Sequence, residues 1–182
     1  GRRMAEFLWI FWSFSLLGWV LERLFAAVTR SPRRRRRCLL LLPLCPVYGL
    51  GMAAVLALPP SLRSGWPLYL WGGLTATSVE YIYHWWGETF LGVSFWDYTG
   101  VFGNFRGRVC LPFSLAWGLL LFPAVYLVTP PVVALADRVP IGVTWWLLLA
   151  FTADAVCSLR FLAVTHDLEA LRAVIWPVSA DR

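Results

Sequence analysis

The chain has 182 residues, 59% of them hydrophobic, with a mean hydropathy of +0.66 and a formal net charge of +6. Only 14% are charged, against about 25% in an ordinary soluble domain, which argues against a water-soluble protein and places the chain in a bilayer. All sixteen basic residues are Arg, so the Lys of a P-loop is missing and ATP hydrolysis by that route is excluded.

Five apolar runs are long enough to cross a hydrocarbon core of about 30 Å. The first, about 5–28, begins almost at once; it is too long for a signal peptide and lacks a small-residue cleavage site. The second is about 39–58, the third about 67–91, the fourth about 111–129 and the fifth about 141–164. The stretches "PPSLRSGWP" and "TPPVVALADRVP" read as Pro-marked connections. After His166, Leu168, Leu171 and Ile175 recur at helical spacing and suggest a short interfacial helix. The expectation is an all-α polytopic membrane protein: one domain over 1–165, a bundle of about five transmembrane helices, and a short cytoplasmic tail over 166–182. Cys38, Cys45, Cys110 and Cys157 contain no C-x-x-C pair and read as small apolar packing residues.

Arg counts orient the bundle. Arg2, Arg3, Arg63 and Arg138 fall on one side; Arg30, Arg33 to Arg37, Arg106, Arg108, Arg172 and Arg182 fall on the other. The richer side is expected in the cytoplasm of a bacterial plasma membrane, which puts the N-terminus outside and the C-terminus inside. The run Arg33, Arg34, Arg35, Arg36, Arg37 reads as a topology anchor, with anionic lipid head groups as its sharper partner. Nucleic acid is not an expected partner.

Charged groups inside a membrane cost about 2.5–3.5 kcal/mol on insertion scales, so they face partners or wet cavities. Here they include Glu22, Glu80, Glu88 and Asp154. Ser15, Gly18, Glu22 and Ala26 share one face of the first helix; Gly73, Thr77, Glu80, His84 and Gly87 form a stripe on the third; Ser114 and Gly118 do so on the fourth. Small residues there allow close helix approach. Glu80, His84 and Glu88 have a spacing that could ligate a metal, but a second Glu/His pair is missing, so neither metal nor cofactor is expected. Between the third and fourth runs lies "SFWDYTGVFGNFRGRVCLPFS", longer than a turn needs and broken by glycines. We read it as a loop folded back onto the inner mouth of the bundle. Asp97 and Arg108 would neutralise partners in the helices, so that Glu22, Glu80, Asp97 and Arg108 join in one polar cluster with Tyr98 and Asn104. Trp96, Tyr48, His84, Glu88 and Asp154 are secondary candidates. No catalytic residue stands out.

The segments "FSLLGWVLERLF", "LPLCPVYGLG", "SVEYIYHWWGE" and "FWDYTGVFGNFRGRVCLPFSLAWGLL" together resemble the ABC-transporter type IV (CmpB-like) membrane family. The matching motifs are Gly18, Trp19 and Glu22; Pro46, Tyr48 and Gly49; Glu80 and Tyr81; Trp96, Asp97 and Tyr98; and Asn104, Gly107, Arg108 and Cys110, with a family-like core over 7–132. The resemblance implies a permease subunit of an ABC-type system, served by a separate ATPase and assembled as a homo- or hetero-oligomer. A membrane-embedded enzyme acting on a lipid or isoprenoid, and a non-catalytic accessory or sensor subunit, are the competing expectations.

Overall fold

The computed structural model describes residues 1–29 and 38–175, and these form helices with no strand among them. Six helices follow in order: α1 (Arg2–Thr29), α2 (Pro46–Leu56), α3 (65–91), α4 (Leu111–Arg138), α5 (Ile141–Thr165) and α6 (Leu168–Ile175). α1, α4 and α5 are each long and apolar enough to cross a membrane. α3 matches them in length but carries Glu80, His84 and Glu88. α1 packs on α2 and on the 129–138 part of α4, α2 on α3, and α3 on α4, while α5 touches α1 and the end of α3.

The expected small-residue seams meet. Gly73 faces Gly118, and the Thr77 hydroxyl donates to Ser114 Oγ at 3.0 Å, closing α3 on α4. Gly49 lies against the Phe11 carbonyl and the Ser15 hydroxyl, closing α2 on α1. At the end that holds the N-terminus, Arg2 lies 3.8 Å from Asp137. At the opposite end, His166 Nδ1 sits 2.6 Å from the Leu91 carbonyl. Gly92 stops α3 there in the left-handed region, at φ 64°.

Three expectations need correction. The "TPPVVALADRVP" stretch is helical through Arg138. Pro130 and Pro131 stand at the start of the Thr129–Arg138 segment of α4, directly after a turn where the regular hydrogen-bond ladder is interrupted. Just before it, Pro123 removes a hydrogen bond, the helix widens over Ala124–Val128, and the Thr129 hydroxyl donates to the Ala124 carbonyl at 2.8 Å.

The second run is not a spanning helix. α2 has 11 residues, about 16 Å at about 1.5 Å per residue, which is half a crossing. Residues 38–45 are irregular. The chemistry explains why: Pro43 and Pro46 push Leu42 and Cys45 out of the helical region, and Cys45 sits at φ −110°, ψ 94°. The irregular half is tied at mid-depth. The Asp154 carboxylate, near the centre of α5, accepts the N–H groups of Leu41 (3.0 Å) and Leu42 (2.9 Å) and the Ser158 hydroxyl (2.8 Å). The Cys45 N–H donates to the Ser15 carbonyl at 2.9 Å. Backbone groups at such depth survive only with protein partners. Cys38 and Cys45 are joined by a disulfide, which corrects their reading as packing thiols; Cys110 is buried and Cys157 exposed.

The loop 92–110 is folded back, as expected. Val93, Phe95, Trp96 and Tyr98 are buried with Leu39, Leu40, Leu162, Leu168 and Leu171. Phe95 occupies the space where Gly87 lacks a Cβ. α6 begins where Asp167 accepts the N–H groups of Glu169 and Ala170, and it seats Leu168 and Leu171 in this same core.

Candidate functional site

The intramembrane polar residues separate into two clusters, not the single one expected. In the first, Tyr48 at the start of α2 donates its hydroxyl to Glu22 of α1. The Tyr48 ring meets Trp117 of α4 edge-on at 5.6 Å. Trp117 Nε1 donates to Glu80 of α3 at 2.6 Å. Four helices thus converge on two carboxylates. Tyr48 reaches Glu22 because Gly18, one turn earlier on α1, leaves room for its ring.

In the second cluster the Arg108 guanidinium donates to Glu88 Oε2 (3.1 Å) and to the Tyr81 hydroxyl (2.9 Å), with its cationic centre 5.0 Å from the Tyr81 ring. The other Glu88 oxygen lies 3.1 Å from His84 Nδ1, without hydrogen-bond alignment. His84 Nε2 is 2.6 Å from the Trp96 carbonyl, and Trp96 Nε1 donates back to the Arg108 carbonyl at 2.9 Å. The ring of contacts locks both ends of the loop to the end of α3. Arg108 is therefore committed to Glu88 and Tyr81, away from Glu22 and Glu80. Both partners lie in the last three turns of α3.

Asp97 also departs from expectation. It is exposed and accepts the Thr99 hydroxyl (2.6 Å) and the Thr99 N–H (2.9 Å), making a turn that Gly107 covers. The Thr99 hydroxyl first, then the Thr99 amide, holds the Asp97 carboxyl below its ordinary range. Its contribution to the loop is thus present above that range and is lost only as pH falls through the lowered value. Asn104 shapes the next turn, donating to the Val101 carbonyl (3.0 Å) and accepting the Gly107 N–H (3.2 Å).

An aromatic series connects the two clusters. Trp96 and Tyr98 lie 6.5 Å apart, Tyr98 stacks on Phe113 at 5.1 Å, and Phe113 meets Trp117 at 6.2 Å. The loop is thereby seated on the ring that holds Glu80.

Beside the first cluster, α1, α2, α3 and α4 line an open cavity of about 360 Å³. Its walls are apolar apart from Glu80, Tyr48 and Trp117. Sequence reasoning named Glu22, Tyr48 and Glu80 but missed Trp117, since one indole N–H among twelve tryptophans carries no positional signal. It named Asp154 without its role as a clamp on the second span. The expected lipid-binding residues Arg33, Arg34, Arg35, Arg36 and Arg37 lie outside the described residues.

No curated protein and no solved structure matches the chain. A family model does, over residues 9–159. That range runs beyond the expected core of 7–132 and takes in α5 as far as Asp154 and Ser158, the residues that hold the interrupted span. With most of its length matched, the chain belongs to the family described as Putative ABC-transporter type IV.

Proposed function

We propose that the chain is the membrane-embedded permease subunit of an ABC-type transport system and that it holds its substrate in the cavity beside Glu80. The observation that carries this reading is the interrupted second span. An irregular half, clamped by Asp154, leads into the half-helix Pro46–Leu56, whose first turn lines the cavity. Broken helices at mid-depth are how many transporters build a substrate site. Tyr48, Glu80 and Trp117 form its polar end, with Glu22 behind Tyr48. Arg108, Glu88, His84, Trp96 and Tyr98 hold the loop as its inner lid, which Asp97 and Asn104 shape. Without a P-loop of its own, the subunit draws on a separate ATPase, and further copies or subunits complete a pathway too wide for so small a bundle. Purification of the full chain in mild detergent should bring down a nucleotide-hydrolysing protein whose turnover rises severalfold when the two are reconstituted together. A chain that copurifies with no such protein, or leaves its turnover unchanged, removes the permease reading.

The Arg-rich side is the cytoplasmic one in this proposal, with a bacterial plasma membrane as the setting. Support comes from the ten-to-four Arg asymmetry enumerated above. The Cys38–Cys45 bridge weighs against that side, because disulfides are rare where thiols are kept reduced and Cys38 is partly exposed although Cys45 is buried. A phosphatase reporter fused after Arg182 should be silent and a fluorescent protein there bright; the reverse pattern inverts the assignment.

A further inference from the structure

The cavity has a shape and a lining that specify more than transport in general. On α1 its wall runs from Phe14 to Leu24, ten residues or about 15 Å at about 1.5 Å per residue. That is half of a hydrocarbon core of about 30 Å, the depth of one leaflet. On its rim, Leu17, Leu21, Leu24 and Leu120 are 38–59% exposed. These positions lie along the apolar lengths of α1 and α4, so the opening faces hydrocarbon and not either aqueous side. A volume of about 360 Å³ is near the lower end of small-ligand sites, which span about 300–1,000 Å³; it suits one chain and not a pair.

The polar end selects the head group. The donors there are already directed, Tyr48 to Glu22 and Trp117 to Glu80. Among the lining residues Glu80 is the one carboxylate and there is no Arg, so an anionic head meets like charge at this end, whereas a hydroxyl or amine head does not.

We propose that this groove binds a single-chain amphiphile drawn laterally from the bilayer, its hydrocarbon along α1 and α4 and a hydroxyl or amine head against Glu80. The inference deepens the transport reading by naming its substrate class, and the binding itself needs neither ATPase nor ATP.

Gly51 supplies the test. It lines the groove, and a Cβ built on it meets no atom within 4 Å. Gly51→Phe starts from an unobstructed Cβ and extends its ring into the groove, which plugs the site. Full-length protein in nanodiscs is irradiated with a long-chain alcohol bearing a diazirine near its chain end, and adducts are mapped by mass spectrometry. Labelling should concentrate on Leu17, Leu21 and Leu120 over Trp146 and Leu149 of α5, which are 73% and 59% exposed. Gly51→Phe should lower the groove adducts about tenfold, as expected when two methylenes at about 0.8 kcal/mol each lose their place. Ala76→Leu, which plugs the groove from α3, should do the same if Gly51→Phe fails to fold. An unlabelled long-chain amine should compete, and a sulfonate of equal length should not. Uniform labelling of groove and α5, labelling that survives both plugs, or equal competition by the sulfonate overturns the proposal. Groove labelling in a chain that recruits no ATPase would keep the site and remove only the permease reading.

Discussion

Asp154→Ala is expected to produce the largest loss of stability of any single substitution outside the apolar core. The carboxylate accepts the N–H groups of Leu41 and Leu42 in a stretch with no helix of its own. Alanine leaves both donors without a partner inside the bundle, at roughly 1–3 kcal/mol each, so roughly 2–6 kcal/mol in total. For a chain of this size the melting temperature in detergent should fall by roughly 5–20 °C. Asp154→Asn keeps one acceptor oxygen and should fall between the two. Hydrogen exchange gives the local readout: the Leu41 and Leu42 amides should lose protection in Asp154→Ala before the rest of the bundle does. Unchanged exchange at those amides would show that the clamp is not what holds the span.

Gly18→Val should separate α1 from α2. A Cβ at Gly18 would overlap the Tyr48 ring, so the half-helix must move out or Tyr48 must leave Glu22. Overpacking costs about 1–3 kcal/mol. The lost hydrogen bond to a half-buried carboxylate adds to it, for roughly 2–4 kcal/mol in all. Because Tyr48 and Gly18 both line the cavity, amphiphile labelling should fall with stability. Gly51→Ala is the control: its Cβ enters open space, and a helical Gly→Ala change should be neutral or slightly stabilising, by up to about 1 kcal/mol. Equal melting temperatures for Gly18→Val and Gly51→Ala would refute the close contact.

The helices were legible in the sequence wherever apolar length decides the outcome, as in α1 and α5. The second run shows where that signal stops. Its hydropathy suits a span, but Pro43 and Pro46 forbid a continuous helix, and the compensating acceptor lies on α5, far along the chain. Hydropathy registers the cost of Asp154 in a bilayer without saying which backbone offsets it. The candidate site was legible to the same degree. Burial cost identified Glu22, Glu80 and Glu88 as residues that need partners. Pairing them required distances. Arg108 looked able to reach any of them, yet it follows the loop directly onto the end of α3, where Tyr81 and Glu88 wait. Asp97 looked like a charge and acts as a turn.

The clamp on the second span also orders events in time. Leu41 and Asp154 are separated by 113 residues. At about 5–20 residues per second, the ribosome needs roughly 6–23 s to deliver the acceptor after the donors have emerged. Through that interval the Leu41 and Leu42 amides lack the acceptor they hold in the folded chain, while the Cys45 N–H can already reach the Ser15 carbonyl of α1. The irregular half of the second span is expected to settle only when α5 arrives. Assembly is therefore closed by its final piece, and a nascent chain truncated before α5 should remain an unfinished, degradable intermediate.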